Sequence, residues 1–277
     1  MKESKKFKII KVADVLRIHR STLYLHERGR PMFYKKHEDE IVLSEIKEVL
    51  KIRSTYGYKR VTAMINKTRK KSSQKRLNKK RILRIMQMHG LIYPKSSVLK
   101  THESTGKVMT LHSNTRWCSD CFEIKCFNGE KVYVIFVLDT CDREVIGVIA
   151  KTTPIHATDV QNIMIESIEK RFGQTKAPRM IQFLSDRGSI YRAKETKLIG
   201  LTVNLQCCFT MAYSPESNGM AEALVKTMKR DYVYTNDCVD PEAILKMIPE
   251  WFKDYNENAP HSALGMLSPL EYKAKVS

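Results

Sequence analysis

Hydrophobic and polar positions change their period once along this chain of 277 residues. Up to about residue 90, apolar residues recur every three or four positions, which predicts amphipathic helices over 38–52, 56–67 and 78–90. Gly90 is well suited to end the last of these helices. From Arg116 onward, alternating or continuous apolar runs predict strands instead. We therefore expect an all-α region followed by an α/β region.

The later region begins with three predicted strands, 117–127, 131–139 and 143–150, whose short connections predict an antiparallel meander. The middle run is apolar on both faces, as in a central strand. Helices and strands then alternate, which predicts an α/β fold with a mixed five-stranded sheet and helices on its faces. These further elements are a helix over 156–172, a strand over 180–186, a weak helix near 194–200, a strand over 203–209 and helices within 214–233 and 241–258.

The segment 11–28 reads as two short helices around a turn. Ser21 and Thr22 suit the start of the second helix, next to the basic residue Arg20. The pattern is similar to a helix-turn-helix, whose second helix would enter a major groove, although a plain helical hairpin has the same pattern. We expect four parts: a helix-turn-helix-like segment (1–35), a helical domain (36–94), a linker (95–113) and an α/β core with a helical tail (114–277).

Charge is divided unevenly along the chain. Residues 1–112 contain 29 Lys and Arg against 9 Asp and Glu, a balance of +20, whereas residues 113–277 contain 20 against 21, a balance of −1. Because the excess positive charge lies entirely in the helical part, we expect that part to meet a polyanion such as DNA. A uniformly lysine-rich surface is the alternative, and the near-neutral second part argues against it.

Three classes of protein are disfavoured by the pattern. The longest apolar run, 132–138, is too short to cross a bilayer, so no transmembrane helix is predicted. The basic N-terminus is not followed by a sustained apolar stretch, so we expect no secretory signal. Seven cysteines without a regular framework indicate reduced thiols in a cytosol rather than a disulfide scaffold.

Three acids lie on different predicted elements of the core, and metal-assisted phosphoryl transfer requires oxygen ligands that come together in this way. Asp120 lies in the first predicted strand, Asp186 closes the fourth, and Glu222 is in the first turns of the helix within 214–233, with 35 residues between the last two. Two divalent ions about 4 Å apart, held by such oxygens, can hold both the attacking and the leaving oxygen of an in-line displacement. Lys226 and Lys229 follow Glu222 on the same helix face. They could bind substrate phosphates or simply form a helical ion pair with Glu222.

Five segments in order, "TRWCSDCFEI", "LDTCDREVIG", "SDRGSIYRA", "SPESNGMAEALVKTMKRDYV" and "HSALGMLSPLEY", carry a family resemblance. Together they resemble the second-frame (OrfB) product of bacterial insertion-sequence transposases with a retroviral-integrase-like (DDE) core. Upstream, "YGYKRV" and "KRILRIMQMHGLI" look like the helical DNA-binding region of that family. The resemblance covers nearly the whole chain, and the spacing of the acids with a basic residue seven positions after the glutamate is its most specific part.

The resemblance implies a ribonuclease H-like fold in which Asp120, Asp186 and Glu222 carry two Mg²⁺ or Mn²⁺ ions. It also implies cleavage at the ends of a mobile element to free a 3′-hydroxyl that attacks another phosphodiester. In the family an upstream frame (OrfA) usually supplies recognition of terminal inverted repeats and oligomerisation through a fusion. We expect this chain, which starts at its own methionine, to lack that part, to act as a homo-oligomer on DNA, and to be cytoplasmic and nucleoid-associated in a bacterium.

Further DNA contacts are expected around the acids and in the helical region. Arg187 follows the second aspartate where many relatives have asparagine and would add a phosphate contact, and Ala223 replaces a serine frequent in relatives. The residues expected to contact DNA, besides Lys226 and Lys229, are Arg187, Asn218, Arg20, Arg60, Lys80, Arg81 and Arg84.

Several other polar residues allow a structural interpretation that we favour. Asp139 and Asp142 are rival acids that we expect to form a turn and an ion pair with Arg143, with Asp139 possible as a neighbour of the metals. His261 is expected to pack the C-terminal segment rather than act as a base. The C-x-x-C of residues 118 to 121 sends its side chains to opposite faces of a strand and has no second ligand pair, so zinc is disfavoured.

The sequence thus predicts a metal-dependent DNA transposase catalytic subunit. A DNA-binding regulator of the fusion protein without chemistry of its own is the main alternative. An inactive relic and a simple ribonuclease H are weaker alternatives, because the acid triad is intact and because a ribonuclease H hardly needs the basic helical arm.

Overall fold

The computed structural model describes residues 9–19, 36–92, 110–210 and 218–276. Helix α1 spans Ile9–Leu16. The predicted second helix of the helix-turn-helix-like segment, Arg20 and most of the predicted linker lie outside the described residues. Within the described ranges no helix combines the length and apolarity needed to cross a membrane.

Three helices form the basic region, as the periodicity predicted. They are α2 (Asp39–Ile52), α3 (Tyr58–Lys71) and α4 (Lys79–Met88). The Asn78 side chain accepts a hydrogen bond from the N–H of Lys80 and caps α4, while Gly90 has a positive φ just beyond its end. The apolar faces of the helices meet in one small core, formed by Val42, Ile46, Val61, Ile65, Ile82 and Met86.

The second region is built on a five-stranded mixed sheet in the order β3-β2-β1-β4-β5. Its strands are β1 (Arg116–Lys125), β2 (Lys131–Asp139), β3 (Val145–Lys151), β4 (Ile181–Ser185) and β5 (Leu205–Phe209). The first three are antiparallel, whereas β4 and β5 run parallel to β1. The predicted meander and the ribonuclease H-like sheet with flanking helices are confirmed.

Helices cover both faces of the sheet because β2 is apolar on both sides. One face is covered by α5 (Ala157–Phe172), α6 (Ser189–Arg192) and α7 (Lys194–Thr202). The other is covered by α8 (Gly219–Met228) and α9 (Pro241–Asn258). A π-helical turn (Lys229–Val233) extends α8, and a 3₁₀ turn (Ser262–Leu264) and α10 (Pro269–Val276) complete the chain. The sequence predicted neither α6, the π-turn nor α10.

The two cysteines of the C-x-x-C point to opposite faces of β1, as predicted from the alternation of a strand. Cys118 is buried in the core beneath α8 and α9, and Cys121 packs against the core beneath α5. Both thiols are free. This arrangement argues against a zinc site formed by the pair.

The ion pair predicted between Asp139, Asp142 and Arg143 is wrong. Both carboxylates instead face Arg171 of α5, whose Nη2 lies 2.7 Å from Asp142 Oδ2 and 3.5 Å from Asp139 Oδ2. Glu144 also pairs with Arg171. A local pairing was the simplest expectation for neighbours in sequence, but the packing of α5 against the sheet brings in a distant arginine.

The helical region is docked on the sheet region by ion pairs. Arg53 pairs with Asp254 of α9, and Arg60 Nη1 lies 2.7 Å from Asp231 Oδ2 in the π-turn. Lys67 Nζ lies 2.8 Å from Glu271 Oε1 of α10. The basic region is therefore in direct contact with the elements that follow β5.

Candidate active site

Asp120 lies in the middle of β1, just past the residues that pair with β4. Its Cα is opposite Phe136 of β2, while the pairing with β4 ends at Cys118. Strand alternation places Asp120 on the same face as Cys118 and Phe122, which belong to the core beneath α8. The Asp120 carboxylate is half-buried, and its Oδ1 accepts a hydrogen bond from the N–H of Cys121 at 2.8 Å.

Asp186 directly follows β4 and is brought beside Asp120 by the strand register. Arg116 pairs with Gln182 and Cys118 with Leu184, and the same offset aligns Asp120 with Asp186. Residues aligned in parallel strands point to the same face of a sheet, so the two carboxylates share a face. The Asp186 side chain is exposed, and its Oδ1 accepts a hydrogen bond from the N–H of Gly188 at 2.9 Å.

Glu222 reaches this face from α8. The neighbouring Ala221 and Leu224 are buried in the core beneath α8, so the helix lies directly over β1. Asn218, at the start of the helix, is 7% exposed, and its Nδ2 donates to the carbonyl of Ser119 at 3.4 Å. Since Ser119 directly precedes Asp120, this bond ties the start of α8 to the part of β1 that carries the first acid.

The negative charge of the three acids is only partly balanced by nearby cations. Burial, and then the charges of Asp186 and Glu222, raise the pKa of Asp120 to about 6. The nearest cation to Glu222 is Lys226, whose Nζ lies 3.5 Å from Glu222 Oε2. Lys226 is 77% exposed, so this pair is screened by solvent and offsets little of the negative charge.

A groove of about 640 Å³ opens beside these residues. Asp120, Glu222, Lys226 and Lys229 line it together with the apolar side chain of Val225, whereas Asp186 lies outside the lining. Across the described ranges, no three carboxylate, histidine or cysteine side chains converge closely enough to hold a metal ion. Register and helix packing therefore bring the acids to one face without closing them into a coordination cage.

The donor set nevertheless suits a hard divalent cation. Carboxylate oxygens are the ligands that Mg²⁺ and Mn²⁺ prefer. Burial, and then the charges of Asp186 and Glu222, disfavour the ionised form of Asp120, and a bound cation would favour it. The residues present therefore fit the metal ions that the sequence predicted.

The residues around the acids expected to contact DNA differ in their surroundings. Lys226 and Lys229 line the groove and are available to a ligand. Arg187 is exposed, and its Nε donates to the carbonyl of Thr210 at 2.9 Å. Asn218 is buried against β1, which argues against the predicted DNA contact and gives its side chain a positioning role instead.

In the helical region, three of the predicted DNA contacts have partners inside the protein. Arg60 pairs with Asp231, while Arg81 and Arg84 both pair with Asp39 at the start of α2. Each of these acids is shared by two arginines, since Arg230 also pairs with Asp231, so both groups keep a net positive charge. The DNA contacts of Arg60, Arg81 and Arg84 therefore stay predictions. Lys80 is exposed at the start of α4, and Arg20 lies outside the described residues.

His261 packs on Tyr255, as expected of a structural histidine, with their ring centroids 4.8 Å apart. Burial lowers the pKa of His261 to about 4, which keeps the ring neutral. Asp231 was not singled out by sequence reasoning. The only signal in the sequence was its place in "KRDYV", next to Arg230, because its partners Thr55 and Arg60 are 176 and 171 residues away in the chain.

Comparison with known families assigns both regions. The integrase core domain model matches residues 111–215, a second integrase core domain model matches 203–269, and an HTH-like domain model matches 36–96. The HTH-like match thus falls on helices α2 to α4, not on the segment 11–28.

Two relatives extend the match along the chain. Transposase InsD of insertion element IS2 from Escherichia coli is 38% identical over 268 residues, covering 94% of this chain and 89% of that protein. An uncharacterised protein of insertion element IS136 from Agrobacterium fabrum is 46% identical over 186 residues, covering 66% of this chain and 95% of that protein.

Solved structures with a similar fold are more distant. A chain of the simian T-cell lymphotropic virus intasome has a TM-score of 0.49 at 15% identity, covering 76% of this chain and 73% of that chain. The catalytic domain of the Mos1 mariner transposase has a TM-score of 0.44 at 20% identity, covering 50% of this chain and 70% of that chain. At these values the likeness carries no conclusion about chemistry.

Proposed function

Because the chain belongs to the family of bacterial insertion-sequence transposases with an integrase-type core, we propose that it is the catalytic subunit that cuts and joins DNA strands. The observation that carries the proposal is the convergence of Asp120, Asp186 and Glu222 on one face of the sheet. Two of these acids are aligned by strand register, and the third is delivered by a helix anchored on the same strand.

In this proposal the three carboxylates hold two Mg²⁺ or Mn²⁺ ions through their oxygens. When bound, such ions supply Lewis acidity to the attacking and leaving oxygens of an in-line displacement at phosphorus. The protein holds the donors in place, since Asp120 is fixed by its strand and by the Cys121 N–H, and Glu222 by the packing of α8. The groove beside them exposes the site to a long substrate.

The reaction proposed has two displacements at phosphodiesters. In the first, water attacks at the element end, and the 3′-oxygen of the element strand leaves and takes up a proton. In the second, that 3′-hydroxyl attacks a phosphodiester of another strand, loses its proton, and displaces the 3′-oxygen there. Lys226 and Lys229 on the groove wall, and Arg187 directly after Asp186, would hold backbone phosphates near the acids, since such cations bind phosphate without reading sequence.

Partners of the chain follow from the same proposal. DNA is bound by the groove and by the basic helical region. The contacts proposed there are Lys80, Arg20, Arg60, Arg81 and Arg84. An upstream-frame product or fusion recognises the terminal inverted repeats, and the chain acts as a homo-oligomer. A non-catalytic regulator of the fusion protein shares the DNA binding but lacks the strand chemistry.

The test is strand cleavage and joining on element-end DNA with Mg²⁺, comparing the wild-type chain with Asp186→Asn. Expected is metal-dependent cleavage by the wild type and loss of it in the variant. Glu242→Gln is the matched control, since Glu242 is an exposed carboxylate on α9 that pairs only with Lys246 among described residues. Equal cleavage by Asp186→Asn would refute the catalytic assignment.

Two further outcomes separate the rival functions. Binding of element-end DNA without cleavage, also when the upstream-frame product is added, would favour the regulator. Cleavage confined to the RNA strand of RNA–DNA hybrids would favour a ribonuclease H. Both substrates are therefore to be offered to the same preparation.

A further inference from the structure

Asp231 is the residue at which the helical region reaches the helix that carries Glu222. Its carboxylate is 2% exposed and receives three side chains. Thr55 Oγ1 donates to Oδ1 at 2.5 Å and Arg60 Nη1 to Oδ2 at 2.7 Å, both from the helical region. Arg230 Nε also donates to Oδ1 at 2.6 Å. We call the contact of Thr55 and Arg60 with Asp231 the clasp.

The π-turn explains how Asp231 comes to face the helical region. Tyr234 N–H donates to the carbonyl of Lys229 at 2.9 Å, five residues back, so the turn is wider than an α-helical one. Asp231, Tyr232 and Val233 are all buried, although three consecutive residues of an α-helix span more than half of its circumference. Tyr232 and Val233 pack into the sheet core, which leaves Asp231 on the side of the clasp.

The clasp is rigid on the side of the helical region. The guanidinium of Arg60 lies 5.1 Å from the centroid of the Tyr56 ring, and Tyr56 is itself buried in the helical core. Thr55 belongs to the turn between α2 and α3. Charged groups that are buried and fully hydrogen-bonded hold one geometry, because an alternative leaves a charge unpaired.

On the side of the sheet region, the clasp is connected to Glu222 through a continuous helix. Asp231 is nine residues after Glu222, about 13 Å at the rise of an α-helix. Helix α8 runs without a break into the π-turn, so fixing Asp231 fixes the far end of the element that delivers Glu222. The near end is tied to β1 by Asn218.

We propose that Asp231 is a positioning residue through which the helical DNA-binding region sets the place of Glu222 over the sheet. The proposal rests on the proposed catalytic role of Glu222, but its structural part stands apart from that role. The clasp makes chemistry at the acids depend on the docked helical region, while the Arg53–Asp254 and Lys67–Glu271 pairs keep that region attached when the clasp is removed.

The first measurement is hydrogen exchange of the amides of 219–233 in the full chain without DNA or metal. Asp231→Asn and Arg60→Met are expected to speed this exchange about tenfold, since local opening follows the loss of the contacts that close it. Arg69→Met is the matched control, because Arg69 pairs with Glu45 entirely within the helical region and is expected to leave exchange in 219–233 unchanged. Wild-type exchange in both clasp variants would overturn the proposal.

The second measurement is single-turnover cleavage at saturating DNA. Each clasp variant is expected to lower the rate by roughly 10- to 100-fold, because small displacements of a catalytic group cost that much, with the Kd for DNA changed less than about threefold. The double variant should be no slower than the slower single, since both remove one contact. A fall in DNA affinity with an unchanged rate would overturn the proposal and support DNA binding by Arg60 instead.

Thr55→Val keeps the test decisive if the charge variants fold poorly. It removes one hydrogen bond and no charge, and a smaller change in the same direction is expected in both measurements. The proposed function would be refuted if the wild-type chain did not cleave DNA or if Asp186→Asn cleaved it at the full rate. The hydrogen-exchange measurement would then remain as the test of the clasp.

Discussion

Two clusters of three acids lie near β1, one beside the start of the strand and one at its middle, and they differ in the cations that face them. Asp139, Asp142 and Glu144 surround Arg171, whose side chain is 2% exposed, and Lys273 pairs with Glu144 from α10. The catalytic candidates Asp120, Asp186 and Glu222 have only the exposed Lys226 as a described ion-pair partner. The first cluster has cationic partners inside the protein, whereas the second has only one exposed lysine beside its three acids.

The pKa alone does not separate these clusters. Burial raises the pKa of Asp120 to about 6, and burial together with the charge of Asp142 raises that of Asp139 to about 6, against the opposing effect of Arg171. What separates them is the partner. Acids that share a buried arginine are part of the scaffold, whereas acids without one, two of which line the groove, are available to a ligand. Variants in the two clusters should therefore differ in their effects on cleavage and on stability.

Removal of one candidate metal ligand has the largest expected effect. Asp120→Asn, Asp186→Asn and Glu222→Gln should each lower strand cleavage with Mg²⁺ by about a thousandfold or more, since each removes a proposed ligand of the metal ions that act on the reacting phosphate. Cleavage is measured under single-turnover conditions. Asp142→Asn is the control in the other cluster, and its cleavage rate per folded molecule should equal that of the wild type. An equal loss of cleavage in both clusters would contradict the assignment of one cluster to catalysis and the other to structure.

Removal of Arg171 should act on stability instead. Arg171→Met leaves three carboxylates at the end of β2 without their shared partner, which should lower the free energy of unfolding by about 3–5 kcal/mol. Urea unfolding of the full chain gives the value. Lys246→Met, which breaks an exposed pair on α9, is the control and should change stability by less than about 0.5 kcal/mol. A similar small change for Arg171→Met would mean that its acids are solvated.

A stabilising effect is expected when a candidate ligand is made neutral. Because the pKa of Asp120 is raised above its ordinary value, its charge opposes folding above about pH 6 and no longer does so below about pH 4. Asp120→Asn should therefore raise the free energy of unfolding at pH 7 in EDTA by about 1–2 kcal/mol, after discounting for solvent screening.

The pH dependence gives the control for this prediction. The gain from Asp120→Asn should shrink as the pH falls from 6 to 4, where the wild-type carboxyl takes up its proton in the folded state. Asp142→Asn, which breaks a buried pair, should be destabilising at pH 7. The opposite order of the two variants would contradict the assignment of the clusters.

The smallest effect is expected at the groove wall. Lys226→Gln should leave stability within about 0.5 kcal/mol, because its pair with Glu222 is exposed. It should weaken DNA binding and lower the salt slope of log Kd by about one, as for loss of a single phosphate contact. Fluorescence anisotropy at several salt concentrations measures both, and an unchanged slope would show that Lys226 only screens Glu222.

Local patterns predicted most elements of this fold. The helical period of 38–52 and the two-faced apolar run of 131–139 each require one kind of element, and α2 and β2 follow them closely. Helix α6 has only four residues, too few for a period to be visible. The π-turn depends on packing of Tyr232 and Val233 into the sheet core, which no local pattern contains.

Within the candidate site, the elements that carry the acids were predictable, whereas the ion-pair partners of the arginines were not. The spacing of Asp186 and Glu222 is read directly from the chain, whereas the partner of an arginine depends on tertiary contacts. Arg60 and Arg84 lie in basic stretches and were therefore expected on DNA, but Asp231 and Asp39 are brought to them by helix packing. Asp142 was expected to pair with its neighbour Arg143, but it pairs with Arg171 of α5.

The shared register of β1 and β4 decides where the chain tolerates changes of length. Between the two strands, extra residues at the exposed turn around 173–176 leave the alignment of Asp120 with Asp186 intact, because they lengthen the loop without moving the strands. One residue added inside β4 has the opposite result, since it turns Asp186 to the other side of the sheet. The length of this connection can therefore change, but one residue inserted within β4 would remove Asp186 from the face that it shares with Asp120.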